Sequence, residues 1–136
     1  FSREFLKNAD GSCMIVVATD APLDSRNLER LAKRAMLGLA RTGGIASNGS
    51  GDYVIAFSTD STLRIPYSVQ QPLQQQAVLH NDLVTPLFLA AIEATEEAIL
   101  NSLFMAADMT GKQHRKIEAI PLDKVIALLK KYNRIP

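Results

Sequence analysis

Two places in this chain carry residues whose types and spacing suit chemistry: the Gly11-Ser12 step and the segment Asn48-Gly49-Ser50-Gly51-Asp52. Ser12 opens the apolar run Cys13-Met14-Ile15-Val16-Val17-Ala18-Thr19, so its hydroxyl stands at the mouth of a predicted strand. The glycine before it lets the intervening peptide strain without a Cβ clash. Given a group to take its proton, such a serine can attack the Gly11 carbonyl and break the chain. It then becomes an N-terminal nucleophile with a free amine beside it. The second segment offers that group. Its flanking glycines let Ser50 approach Ser12, and Asp52 can turn its carboxylate to the same side. The same residues also fit a serine at a strand start and an ordinary Asn-Gly, Gly-Asp turn before the next strand, neither of which needs chemistry. The segment lacks the Gly-Lys-Ser/Thr ending of a phosphate-binding loop. It also lacks the spacing of a nucleophile elbow, whose serine has a glycine two residues away on each side.

The elements that must hold these residues are legible around them. Residues 13–19 form a β-branched run expected to be a strand buried on both faces. Ala21-Pro22 stops it, and Asp24 or Ser25 can cap a helix carrying Leu28, Leu31, Ala32, Ala35 and Leu39 on one stripe. Gly43-Gly44 ends that helix through the left-handed conformation. A second strand follows at Tyr53-Val54-Ile55-Ala56-Phe57. From about Ser58 to Asn81, prolines and glutamines predict a loop excursion. Thr85-Pro86 starts the longest helix, with a wide apolar face built from Leu87, Phe88, Ala91, Ile92, Ala94, Ala98, Ile99 and Leu103; Gly111 is expected to close it. A short edge strand is expected through Ile117 to Ile120, and Pro121 opens a last helix with Val125, Ile126, Leu128 and Leu129. Alternation of strands and helices predicts an α/β layered domain. Two core strands do not make a complete sheet, so the remaining strands are expected in a partner polypeptide.

At 136 residues, with 47% hydrophobic and 21% charged residues, the chain is one packed domain or part of one. Its net charge of +1, with acids and bases interspersed, points to neither nucleic acid nor an anionic membrane. Apolar stretches fall short of a bilayer span, and Phe1 to Lys7 lack the apolar centre of a secretory signal. The compartment stays open, with the cytoplasm slightly preferred to the periplasm. The single cysteine, Cys13, excludes an internal disulfide and reads as a small core residue beside Ser12. His80 and His114 sit in polar, loop-like surroundings without metal-ligand spacing, so neither metal nor cofactor is expected. Arg41 suits a helix C-terminus, Lys112 to Lys116 a solvated basic patch, and Glu93, Glu96 and Glu97 a helix surface.

Together the two segments resemble the small subunit of the β-peptidyl aminopeptidases and the related L-aminopeptidase/D-amidase-esterases, self-processing serine peptidases. The resemblance is carried by Gly11-Ser12 with the run to Leu23, by Gly38-Leu39-Ala40-Arg41-Thr42-Gly43 and by Asn48 to Asp52. It continues through Asn81-Asp82, Pro86-Leu87-Phe88, Ala94 to Asn101 and Met109-Thr110-Gly111, so that it covers nearly all of residues 9–134. It implies cleavage between Gly11 and Ser12, with Ser12 as nucleophile and Ser50 and Asp52 as its hydrogen-bonded relay. Some members carry glutamate where this chain has Asp52. The implied fold is part of a four-layer αββα sandwich resembling N-terminal nucleophile hydrolases with different connectivity. Residues 1–11 are then expected to be the tail of the larger subunit or precursor, and residues 12–136 the catalytic small-subunit region. The implied activity is release of N-terminal residues from short peptides, amides or esters, inactive until the chain is processed and joined to a larger subunit. Such heterodimers are expected to assemble further into homo-oligomers. Two other readings stay open at this level: a non-catalytic, unprocessed fragment or assembly domain, and a related self-cleaving amidohydrolase or acyltransferase of other specificity.

Overall fold

A computed structural model describes residues 11–68 and 71–136; the expected tail up to Asp10 lies outside the described residues. The order of elements is β1 (Met14–Thr19), α1 (Ser25–Arg41), β2 (Tyr53–Ser58), α2 (Thr85–Phe104), β3 (Met109–Thr110), β4 (Lys116–Ile117) and α3 (Leu122–Lys131). Short 3-10 turns lie at Ser61–Leu63, Asn81–Leu83 and Lys112–His114. The chain divides into two compact units, residues 1–96 and 97–136, with the boundary inside α2.

In the first unit, β1 and β2 pair in parallel, Met14 opposite Tyr53 through Thr19 opposite Ser58, with α1 as the crossover. Asp24 caps α1, its carboxylate accepting from Asn27 N at 2.8 Å, which satisfies one of the orphan donors of the first turn. Leu31, Ala35 and Gly38 are buried along the helix, on the predicted stripe or beside it. Gly43, at φ +98°, turns the chain out of the helix as expected. The core gathers Leu23, Leu31, Val84, Phe88 and Ala91, with Val17 of β1 and Leu28 of α1 packed against it. The guanidinium groups of Arg30 and Arg34 stand 4.9 and 4.2 Å from the centre of the Phe88 ring, and Arg30 also donates to the side-chain oxygens of Asn27 and Asn81. Helix α1 meets the start of α2 closely: a Cβ on Gly38 would lie 2.6 Å from the Ile92 carbonyl oxygen.

Three expectations are corrected. The described residues cover the sheet on one face only. Val17 points to the core, whereas Met14 (66% exposed), Val16, Tyr53, Ile55 and Phe57 form an apolar face open to solvent. The strand pattern is that of a two-sided sheet, but the described residues supply helices for one side. Next, α2 ends at Phe104 rather than at Gly111. Gly111 serves the following hairpin instead, its N–H donating to Arg115 O at 2.9 Å. The wide apolar face of α2 is also covered only in part: Phe88, Ala91 and Thr95 are buried and Leu87, Ile92 and Ile99 half-buried, whereas Ala94, Ala98 and Leu103 are exposed.

In the second unit, β3 and β4 make a two-residue antiparallel ladder, Met109 opposite Ile117 and Thr110 opposite Lys116. The edge strand expected to reach Ile120 stops at Ile117, because β3 offers only two residues to pair with. Asp108 ties the hairpin: Oδ2 lies 2.8 Å from Lys116 Nζ, and Oδ1 accepts from Ala119 N at 2.9 Å. Helix α3 begins after Pro121, as predicted. Among the described residues no helix is long and apolar enough to cross a membrane.

Candidate active site

The parallel register places the N-terminal ends of β1 and β2 at one edge of the sheet, and both chemistry-bearing segments sit there. Tyr53 N donates to Cys13 O at 3.0 Å, extending the ladder by one bond toward Ser12. Before β2 the chain makes a tight turn, with Ser50 N donating to Ser47 O at 2.9 Å. This turn presents Ser50, Gly51 and Asp52 to residues 12 and 13.

Asp52 is half-buried and uses both carboxylate oxygens. Oδ2 accepts the Ser50 hydroxyl at 2.5 Å, and Oδ1 accepts Cys13 N–H at 2.8 Å. One carboxylate therefore holds the loop hydroxyl and the peptide that directly follows Ser12. Hydrogen bonds to an ionised acceptor are the stronger kind, so this is a stiff joint. Ser12 Oγ meets the loop through the backbone, accepting from Gly51 N–H at 3.0 Å. Of the residues expected to act together, Ser50 and Asp52 are directly bonded. Ser12 is joined to them through Gly51 and through the Cys13 peptide.

Two parts of this arrangement were not visible in the residue types. The Gly51 N–H and the Cys13 N–H are backbone donors, and only the register of β1 against β2 reveals where they point. The role expected for the glycines is also softened. A Cβ on Gly51 would stand 3.5 Å from Ser12 Oγ and 3.4 Å from the Tyr53 ring, which is ordinary contact, so glycine eases this approach without being demanded by it.

Beside Ser12 opens a cavity of about 340 Å³. Gly11, Ser12, Ser50 and Asp52 line it together with Leu39, Gly44, Ile45 and Ala46, from the exit of α1. Gly44 packs so tightly on Leu39 that a Cβ would come within 2.7 Å of its Cγ, and Ala46 sits at φ 46°. Cys13 lines the cavity and is partly buried.

The other singled-out residues lie elsewhere. His80 is exposed and accepts from Asp82 N at 3.4 Å at the start of a 3-10 turn; His114 is exposed in the turn after β3. Arg41 pairs with Glu96 at 3.1 Å on the surface. Among the described residues no group of three or more His, Cys, Asp or Glu side chains could hold a metal ion.

Comparison with known proteins identifies the family and the fold. The family model for peptidase family S58 matches residues 2–117. The beta-peptidyl aminopeptidase BapA of Sphingosinicella microcystinivorans is 44% identical over 126 residues, which is 93% of this chain and 31% of that protein. Among solved structures, the PH0078 protein from Pyrococcus horikoshii OT3 superposes with a TM-score of 0.82 at 44% identity, over 97% of this chain and 37% of that one. The L-aminopeptidase D-Ala-esterase/amidase from Ochrobactrum anthropi, a prototype for the serine aminopeptidases and a new variant among the Ntn hydrolase fold, gives 0.79 at 35% identity, over 90% of this chain and 34% of its own. The chain thus spans about a third of the length of these relatives, and its α/β architecture is that of this fold variant. With a family model matching from residue 2 to residue 117, the chain belongs to peptidase family S58.

Proposed function

We propose that this chain is the catalytic small-subunit region of a self-processing serine aminopeptidase or amidase. Ser12 is the nucleophile in both of its reactions. In the precursor, Ser12 Oγ attacks the Gly11 carbonyl carbon and displaces the Ser12 nitrogen, giving an ester that water hydrolyses. The products are a Gly11 carboxylate and a free Ser12 α-amine. In turnover, Ser12 Oγ attacks the carbonyl of a short peptide, amide or ester. Its proton passes to the leaving group, and water resolves the acyl-enzyme. The base is the Ser12 α-amine, whose ordinary pKa of about 7.7–8.0 leaves part of it neutral near pH 7. Ser50 orients or relays that proton, and Asp52 polarises Ser50 and stabilises the positive charge that develops. Nothing in this sequence of steps calls for a metal or cofactor.

The observation that carries the reading is the joint between the two segments: Asp52 bonded at once to Ser50 and to the peptide following Ser12, with the Gly51 N–H on Ser12 Oγ. Membership of family S58 supports it. A larger subunit, made from the rest of the precursor, supplies further pocket and oxyanion groups and lies on the open apolar face of the sheet. The heterodimers then associate into homo-oligomers.

The test is made on the complete precursor. Mass and N-terminal sequence of the purified protein are expected to show a new chain beginning at Ser12. Ser12→Ala is expected to remain uncut and inactive on p-nitroanilides. An intact Gly11-Ser12 bond in the folded, unsubstituted protein, or retained hydrolysis in Ser12→Ala, refutes the proposal.

A further inference from the structure

We infer that Asn48 is a site of spontaneous chemical modification: its side chain closes on the Gly49 nitrogen, loses ammonia and leaves aspartate or isoaspartate in the turn that carries Ser50. The modification is independent of any role for Ser12; its effect on activity rests on the function proposed above.

Asn48 is the one asparagine of the chain followed by glycine; the others precede Ala9, Leu28, Asp82, Ser102 and Arg134. The difference matters because the attacking atom is the main-chain nitrogen of the next residue, and glycine leaves that nitrogen without a Cβ beside it. Asn48 and Gly49 are both exposed, so water and hydroxide reach the reacting atoms; Asn27, by contrast, is 4% exposed in α1. The pair forms the two central residues of the turn closed by Ser50 N–H on Ser47 O at 2.9 Å. A surface turn of this kind opens locally at small cost.

The steps balance with water alone. The Gly49 nitrogen, giving up its proton to hydroxide, bonds to Asn48 Cγ. The side-chain nitrogen departs as ammonia, and a succinimide ring remains. Water then opens either C–N bond of the ring. Breaking the bond to Cγ gives aspartate in a normal chain. Breaking the bond to the main-chain carbonyl carbon gives isoaspartate, whose chain runs through Cβ and Cγ and is one carbon longer. Asparagine belongs to the thermolabile residues for this reason.

The place of the turn decides the consequence. Ser50 donates to Asp52 at 2.5 Å, and the next N–H, of Gly51, reaches Ser12 Oγ at 3.0 Å. An extra main-chain carbon between residues 48 and 49 has to be absorbed between the exit of α1 and these bonds, so it shifts Ser50 and Gly51 relative to Ser12. A normally linked aspartate adds only an exposed charge, which salt screens. The isoaspartate form is therefore the silenced one, and the loop that serves the reaction also limits the working life of the protein.

The experiment incubates the complete, processed enzyme at neutral and mildly alkaline pH. Peptide mass, an isoaspartate-specific methyltransferase and p-nitroanilide hydrolysis follow it. Asn48 is expected to gain the amide-to-acid mass difference ahead of the other asparagines, and faster at the higher pH. The isoaspartate fraction, separated by chromatography, is expected to turn over roughly a hundredfold more slowly, the cost of misplacing a reacting group by about 1 Å. Asn48→Gln, whose longer side chain closes the corresponding ring far more slowly, is expected to hold its starting activity throughout. Fresh Asn48→Asp is expected to lose less activity than the isoaspartate fraction. An unmodified Asn48 after a synthetic peptide of residues 45–53 has converted overturns the site. Isoaspartate with undiminished turnover, or Asn48→Gln decaying as fast as the parent, overturns the silencing. Absence of self-cleavage and hydrolysis in the fresh, unsubstituted protein overturns Ser12 as nucleophile, and the mass gain at Asn48 is read whatever that result.

Discussion

Replacing Asp52 by Asn separates what the carboxylate does for the fold from what it does for the reaction. The two side chains have the same shape, but Asn carries one acceptor oxygen where Asp52 uses two. Oδ1 accepts Cys13 N–H and Oδ2 accepts the Ser50 hydroxyl, at 2.8 and 2.5 Å. Cys13 N–H can only donate, so the amide oxygen must stay with it. The amide NH2 then faces Ser50 Oγ, which must reverse and accept. Both bonds survive in number but lose their ionic character. Charge-assisted bonds contribute about 1.5–3 kcal/mol and neutral ones about 0.5–1.5, so two partly exposed bonds predict a loss of about 1–2 kcal/mol. In a domain of this size that lowers Tm by only a few degrees. The rate should fall much further. A Ser50 that accepts from Asn can no longer pass its proton to an anionic partner, and general-base contributions are typically 10²–10⁴-fold. Precursor cleavage followed by mass, p-nitroanilide hydrolysis and thermal unfolding on the same preparation give the three numbers. Processing and turnover within about fivefold of the parent in Asp52→Asn would refute the relay. A loss of stability well above 4 kcal/mol with proportional loss of activity would make Asp52 a structural joint and nothing more.

Two further outcomes follow from packing and charge outside the site. Gly38→Ala would stabilise an isolated helix by about 1 kcal/mol. Here the new Cβ would lie 2.6 Å from Ile92 O and 2.7 Å from Thr95 Cβ, so overpacking of about 1–3 kcal/mol outweighs that gain. Denaturant unfolding should show a net loss, and a gain would mean that α1 and α2 move apart freely. Asp108 has its pKa held below the ordinary carboxylate value, first by its bond to Lys116 and then by the Ala119 N–H. A folded pKa below the unfolded one means that its contribution is present above the unfolded value near 3.9 and is lost as the pH falls through the folded value. Carboxyl chemical shifts of Asp108 with amide exchange of Ala119 report this; titration at or above 3.9 contradicts the tie.

The sequence revealed most where local physics decides. Asp24 before Ser25 capped α1, Gly43 took the left-handed exit, and Pro121 preceded the last helix, because caps and breakers act within one turn. Misreadings came where a residue had two possible uses. Gly111 was expected at a helix end and instead closes the β3–β4 turn, a choice set by pairing with Arg115 that no local pattern encodes. In the site, residue types and spacing made Ser12, Ser50 and Asp52 candidates alongside an ordinary turn, and only the family resemblance gave them roles. The backbone donors of Cys13 and Gly51 were not nominated, since a main-chain N–H has no residue type.

The two faces of the sheet have different tasks. Its inner face, Ile15 and Val17 against Val54 and Ala56, fixes the register, because a slip of one residue would turn every inward side chain outward. That register alone puts residue 12 level with the Ser50–Asp52 turn, so the core residues Val17 and Leu31 position the proposed nucleophile without touching it. The outer face carries Met14 opposite Tyr53, Val16 opposite Ile55, and Phe57 opposite Ala18 across the same ladder. Single exposed apolar residues are normal, but five contiguous ones on a parallel pair are the pattern of a sheet meant to be covered on both sides. The chain makes up 31% of the length of its beta-peptidyl aminopeptidase relative, so the larger subunit proposed above is the natural cover for that face. Covering it would fix Met14 and Tyr53, the residues that flank Cys13 and Asp52. Docking of the larger subunit and alignment of Ser12 then become one event, which is why activity is expected only from the complete protein.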